Sequence, residues 1–195
     1  RRRQRQMCIR DSCMGCRTCM VACKTENGTP ASHFFMYVFR FVEGTYPNAQ
    51  LRYLPRACNH CEDPPCVRAC PTQATFKNED GIVMMDFHRC IGCRFCMAAC
   101  PFGARSFNFR DPRPFIEENN KEFPTRMKGV VEKCNFCAER LAVGKLPACV
   151  EASNGAIAFG DLYDEHSEVR KLLKENYTIR RKQTLGTEPS VYYIV

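Results

Sequence analysis

Fifteen of the 16 cysteines in this chain fall into four groups whose spacing suits metal-cluster chemistry better than cross-linking. The group that organises the rest is Cys90-Ile-Gly-Cys-Arg-Phe-Cys-Met-Ala-Ala-Cys100, followed by Pro101. Its spacing, C-x2-C-x2-C-x3-C-P, is the bacterial iron–sulfur ligand run. Three thiolates on a tight loop can wrap three corners of one cubane, and Gly92 lets the backbone approach the sulfurs. The fourth cysteine opens the next element, points away and ligates a different cluster. One such run therefore predicts a second.

The remaining groups supply it. Cys13, Cys16, Cys19 and Cys23 repeat the x2, x2, x3 spacing. Cys58, Cys61, Cys66 and Cys70 run x2, x4, x3 and lead into Pro71. Cys134, Cys137 and Cys149 run x2, x11, and Ser153 stands four residues on, where a fourth cysteine would sit. Cys8 is left over and is expected to be an ordinary buried thiol. Disulfides compete for these residues, but triplets of thiols three residues apart suit chelation better than a disulfide framework. Structural zinc takes two C-x2-C pairs per tetrahedral ion and leaves the third cysteine of each C-x2-C-x2-C unexplained. Iron–sulfur clusters use every grouped residue.

The group order, the x4 spacing in group two and the x11 gap in group four come with telling phrases: CNHCEDPPCVRACPTQA (58–74), CIGCRFCMAACPFGAR (90–105), KCNFCAERLAVGKLPACVEA (133–152), FGDL (159–162) and LGTEPSVYYI (185–194). In these the chain resembles, over nearly its whole length, the iron–sulfur subunits of the DMSO reductase and polysulfide reductase family. The resemblance implies four clusters in two ferredoxin-like modules, with groups one and four paired and groups two and three paired. Carried over residue by residue, it implies one cluster on Cys13, Cys16 and Cys19, with Ser153 in the fourth position. A second falls to Cys23, Cys134, Cys137 and Cys149, a third to Cys58, Cys61, Cys66 and Cys100, and a fourth to Cys70, Cys90, Cys93 and Cys96. Iron–sulfur corners favour soft sulfur ligands over a serine oxygen. The expected cofactors are therefore three [4Fe-4S] clusters and one [3Fe-4S] cluster at Cys13, Cys16 and Cys19. Ser153 ligating through oxygen, or water capping a full cubane, are the alternatives.

These groups need elements to position them, and the expected fold class is α+β: two ferredoxin-like modules of the bacterial dicluster type with an added β-hairpin and a C-terminal helix. The chain reads as one unit over 1–195, with an inner module at 55–105 and an outer module at 7–30 plus 128–160. A short helix through Val21-Ala-Cys-Lys is stopped at Asn27-Gly28-Thr-Pro30. A hairpin insert occupies 33–54, with strands at 33–42 and 50–54. The inner module has a turn at Asn78-Glu-Asp-Gly81 and a strand at Ile82–Asp86. Residues 138–143 read as helical, and 156–159 as a strand closing the outer module. Residues 106–128, with Pro112, Pro114 and Pro124, read as a surface excursion or partner-binding loop. Over 161–195, Val169, Leu172 and Leu173 give Glu165–Asn176 an amphipathic helical pattern, followed by an extended tail.

The formal charge of +8 would suit nucleic acid on its own. Each thiolate-bound cluster contributes about −2, so four bring roughly −8 and the loaded protein is close to neutral. Arg17, Arg68 and Arg94 lie inside the motifs and read as solvated charge. His33, His60, His88 and His166 have no metal-ligand spacing; His60, inside group two, reads as structural, with a hydrogen bond to a sulfur as the alternative. No apolar run approaches the roughly 18 residues of a membrane span. Arg1–Gln6 reads as a solvated, partly disordered arm without the apolar segment of a signal peptide, and the missing initiator Met suggests that the encoded chain starts earlier.

No nucleotide loop, nucleophile motif or paired carboxylates appear, so the expectation is an electron-transfer subunit without a catalytic site. The resemblance places it in a membrane-associated quinone oxidoreductase, between a large molybdopterin-type subunit and a polytopic quinone-binding membrane subunit. The best matches are the menaquinone reductase fed by a multihaem cytochrome c, and alternative complex III. It implies the periplasmic face of the bacterial inner membrane, with the chain held peripherally by its partners. The rivals are a molybdopterin DMSO- or polysulfide-type reductase subunit, a free soluble polyferredoxin, and a zinc-rich nucleic-acid-binding module.

Overall fold

The structure, a computed structural model, describes residues 4–30, 33–116 and 127–195. Its elements run β1 (Arg5–Ile9), α1 (Thr18–Asn27), β2 (Tyr37–Glu43), β3 (Gln50–Arg56), α2 (Pro65–Arg68), β4 (Thr75–Lys77), β5 (Val83–Met85), α3 (Phe95–Ala98), β6 (Ser106–Phe107), β7 (Val131–Glu132), α4 (Ala138–Ala142), α5 (Ala148–Glu151), β8 (Ile157–Asp161), α6 (Glu168–Glu175), β9 (Thr178–Ile179) and β10 (Val191–Ile194). These are short helices and two-stranded sheets strung between cysteine loops, an α+β arrangement. The exception is a four-stranded sheet ordered β8-β1-β10-β9, antiparallel at β1–β8 and parallel at β1–β10.

The first and last strands meet in that sheet, and this corrects the expectation of a solvated arm for residues 4–6, while 1–3 lie outside the described residues. Met7 pairs with Val191 and Phe159, Cys8 with Tyr192 and Ala158. Gln6 is buried, and Met7 and Cys8 are 0% exposed. The tail is also more than an extended strap, because Ser190 N donates to Asn59 O at 2.8 Å and Glu62 N to Glu188 O at 2.8 Å, clamping β10 onto the group-two loop. Helix α6 is three residues shorter at its start than its sequence pattern. Asp164, Glu165 and His166 form a turn instead, and Val169 and Leu172 pack with Cys8 and Ala158 beneath the sheet.

Strands β2 and β3 pair antiparallel from Tyr37–Arg56 to Glu43–Gln50. The first strand starts later than the apolar run suggests, because Phe35 and Met36 turn into the core before pairing begins. The second extends to Arg56, two residues into the segment read as the inner module. Within 106–128, β6 and a 3-10 turn at Arg113–Phe115 are described, while 117–126, including Pro124, lie outside the described residues.

Burial pushes the Cys8 thiol up from 9.0 to about 11. Because the fold holds the proton more tightly, this contribution to stability is full below pH 9 and drains away as pH rises towards 11. The loss is about 2 to 3 kcal/mol. Cys8→Ala is expected to melt slightly below the parent at neutral pH, since it leaves a small cavity. It should match or exceed the parent near pH 11, as melting curves at a series of pH values would show.

Candidate metal centres

The cysteine loops are built on repeated backbone devices. Gly15 and Gly92, each just before the second cysteine of its group, have φ of 74° and 71°. Arg17 and Arg94, just after that cysteine, are also left-handed and start α1 and α3. The alternation of left-handed residues curls each loop so that successive cysteines face one centre. Groups two and four share a second device, with His60 and Phe136 in the position before the second cysteine, at φ 40° and 56°. Their rings stack at 3.6 Å between centroids, and Phe136 meets Phe159 edge-on at 5.2 Å. The repeat continues: Pro64-Pro-Cys-Val-Arg-Ala-Cys70 around α2 corresponds to Pro147-Ala-Cys-Val-Glu-Ala-Ser153 around α5. Ser153 therefore stands where Cys70 stands.

Gly92 tolerates no side chain. A Cβ there would lie 2.4 Å from the backbone oxygen of Gly129. Gly92→Ala adds that clash to a left-handed cost of about 1–2 kcal/mol. It is expected to lower the melting temperature and to strip iron from the Cys90 loop. Gly103→Ala, also at positive φ but with open space around it, should lose stability without losing iron.

Burial is the main cause raising the thiol pKa values of Cys19, Cys61, Cys96 and Cys149, and neighbouring cysteines raise them further. Cys19 lies close enough to feel Cys13 and Cys16. Cys149 feels Cys134, Cys23 and Cys137. Cys61 feels Cys58, Cys66 and Cys100, and Cys96 feels Cys70 and Cys90. Cys93 follows Gly92 on the same loop as Cys90 and Cys96. Couplings between sets also occur, at Cys19–Cys149, Cys134–Cys58 and Cys66–Cys96. Burial raises Cys61 to about 12 and Cys19 to about 11, and pushes Cys134 and Cys149 well above the ordinary range. Thiols in this state ionise only against a strong positive charge, which iron supplies.

Cys58, Cys61, Cys66 and Cys100 line a small cavity together with Asn59, Val83, Phe102 and Arg105. The amide of Asn59 is buried there with neither its nitrogen nor its oxygen partnered, and Arg105 Nη2 is also without a partner. All 16 cysteines are free thiols. Four thiols around one cavity, with unpartnered buried hydrogen-bond donors on Asn59 and Arg105 beside them, fit an iron–sulfur cluster.

The histidine and arginines inside the motifs have contacts of their own. His60 has a structural bond, its Nδ1 accepting from Val83 N at 3.1 Å, while its Nε2 is buried without a hydrogen-bond partner. Burial and then Lys133 and Arg105 hold its pKa well below 6.5. Arg68 pairs with Asp63 at the surface, and Arg94 lies over the Phe107 ring at 5.4 Å. Asn59, Arg105, Lys133 and Thr187 went unnoticed in the sequence. Only their adjacency to cysteines or to the LGTEPS phrase hinted at them.

Two family models, both described as 4Fe-4S dicluster domains, match residues 12–74 and 49–112. The chain is 47% identical over 192 residues to the Hdr-like menaquinol oxidoreductase iron–sulfur subunit 1 of Archaeoglobus fulgidus, covering 90% of this chain and 71% of that protein. It is 39% identical to the iron–sulfur cluster-binding subunit of menaquinone reductase of Nitratidesulfovibrio vulgaris, covering 94% and 85%. It is 38% identical to the B component of the polysulfide reductase of Wolinella succinogenes, covering 93% and 88%. With two matching dicluster models and such identities along most of its length, the chain belongs to the family of dicluster-ferredoxin iron–sulfur subunits of DMSO, polysulfide and menaquinone reductases.

Proposed function

We propose that this chain is the electron-transfer subunit of a membrane-associated quinone oxidoreductase, passing single electrons between a redox partner and menaquinone. The observation that carries the reading is the linear order of the sulfur sets. Set one (Cys13, Cys16, Cys19) couples to set two (Cys23, Cys134, Cys137, Cys149) through Cys19 and Cys149. Set two couples to set three (Cys58, Cys61, Cys66, Cys100) through Cys134 and Cys58. Set three couples to set four (Cys70, Cys90, Cys93, Cys96) through Cys66 and Cys96. Such a file has two ends, as a conductor between two partners needs. Sets two to four supply four thiolates each, suited to [4Fe-4S], and set one supplies three, suited to [3Fe-4S]. These centres bring one-electron chemistry, with potentials set within about −700 to +450 mV by hydrogen bonds, charge and exposure.

The protein's own part is to hold and insulate. Sets one and two with their loops form the outer module, 7–30 plus 128–160, and sets three and four the inner module, 55–105. The hairpin at 33–54 covers the first loop, where Tyr53 occupies the space in front of Gly15. No helix among the described residues is long and apolar enough to cross a membrane. In this reading partners hold the chain at the membrane: a polytopic quinone-binding subunit, a large subunit of molybdopterin-type fold and, in a menaquinone reductase, a multihaem cytochrome c, on the periplasmic face. Gentle detergent extraction of native membranes tests this. Co-migration of the chain with a polytopic subunit, and reoxidation of its reduced form by a menaquinone analogue, are expected. A free species near 22.4 kDa that no quinone reoxidises would favour a mobile polyferredoxin.

A further inference from the structure

Two cations lie where sulfur sets adjoin. Among the described residues, the buried Lys and Arg side chains are Arg105, 6% exposed, and Lys133, 5% exposed. Lys133 immediately precedes Cys134, and its Nζ donates to the backbone oxygens of Val83 and Cys134, the latter at 2.6 Å. It acts on Cys134 of set two and on Cys58 and Cys66 of set three. Arg105 follows Cys100 by five residues, and its Nη1 donates to Thr75 Oγ1 at 3.0 Å. It acts on Cys66 and Cys58 of set three and Cys96 of set four. His60 lies within reach of both cations and, being neutral, adds no third charge.

Burying an isolated cation is costly, so each needs anionic neighbours. Around Arg105 the described neighbours are sulfur and a hydroxyl, and its Nη2 is buried without a partner beside the set-three cavity. A fixed positive charge between two centres favours the reduced state of both, and the low dielectric of the interior strengthens the effect. When one electron passes between neighbours, one centre is oxidised by one unit and the next reduced by one. No bond changes and no proton is required.

From this placement, and resting on the conducting-file reading above, we infer that Arg105 and Lys133 are potential-setting residues at the two interior junctions. Arg105 raises and matches the potentials of sets three and four, and Lys133 does the same for sets two and three. Set one has no buried cation of its own among the described residues, so its potential is set apart from the rest.

An EPR-monitored redox titration of the anaerobically purified full chain tests this, with the signal from set one as internal reference. Arg105→Gln is expected to lower two midpoints by at least tenfold in the reduction equilibrium, 59 mV for one electron, and to leave set one unmoved. Lys133→Gln should also move two midpoints, one of them shared with Arg105→Gln. Arg105→Lys, which keeps the charge, should stay near the parent. Unchanged midpoints, a uniform shift of all four, or an equal shift in Arg105→Lys would overturn the inference. So would a loss of clusters in Arg105→Gln, which would assign the guanidinium to assembly. A parent chain without iron and sulfide would instead sink the conducting-file reading.

Discussion

Replacing Ser153 by cysteine is expected to extinguish the three-iron EPR signal of the oxidised protein and to raise iron from about 15 to about 16 per chain. The internal repeat explains why. Cys70 and Ser153 each follow a short helix by two residues, and each is met by the backbone N–H four residues on. Hydrogen bonds from Thr75, Thr72 and Ala74, together outweighing burial, lower the Cys70 pKa. Ser153 Oγ accepts from Ile157 N at 3.1 Å. The donor that would stabilise a thiolate at 153 is therefore already present. The serine hydroxyl instead donates to Val150 O at 2.7 Å, which spends its hydrogen on its own turn. The Thr18 hydroxyl, bonded to Ala152 O at 2.7 Å and lying 3.2 Å from Cys16 Sγ, ties this turn to the first cysteine loop. With a fourth thiolate the site gains an iron, and its potential should drop because the added ligand brings negative charge. Persistence of the three-iron signal in a Ser153→Cys protein with unchanged iron content would remove Ser153 from the first site.

What the sequence made legible was local. Cysteine spacing, the glycines before the second cysteine and the apolar face of α6 all act within a few residues, and each can be read without knowing the fold. The pairing of β1 with β10 could not be read, because its partners are more than 180 residues apart. Arg5–Ile9 has no alternation to announce a half-buried strand either, since Gln6, Met7, Cys8 and Ile9 are all buried. Cys8 looked like a stray thiol for the same reason, and the sheet explains it: its side chain fills the space beneath Val169 and Leu172. The two buried cations were hidden by composition. A basic excess gives no sign of which charges face water, and Arg105 and Lys133 differ from the surface arginines only in what the cysteine loops fold over them.

Phe136 makes the same point with energetic consequences, since by spacing it is only one of two unspecified residues between Cys134 and Cys137. In the fold it is the largest fully buried side chain, 1% exposed, sandwiched by His60 and Phe159 where the group-two and group-four loops face each other. Phe136→Ala is expected to cost about 3–5 kcal/mol, from lost burial and an unfilled cavity. The lost ring stacking adds to this. Total stability of a domain is only about 5–15 kcal/mol, so the variant should lose a large part of it. Because cluster loss on unfolding is irreversible, the appropriate measure is the rate at which visible absorbance bleaches in denaturant. That rate should rise at least tenfold, whereas Phe136→Leu, which keeps most of the apolar volume, should fall between. The position of the ring adds a finer expectation: sets two and three adjoin here through Cys134 and Cys58, so their signals should broaden before those of sets one and four. Bleaching of Phe136→Ala at the parent rate would show that the two loops are held together elsewhere, as by the clamped C-terminal strand and the Lys133 bond to Val83 O.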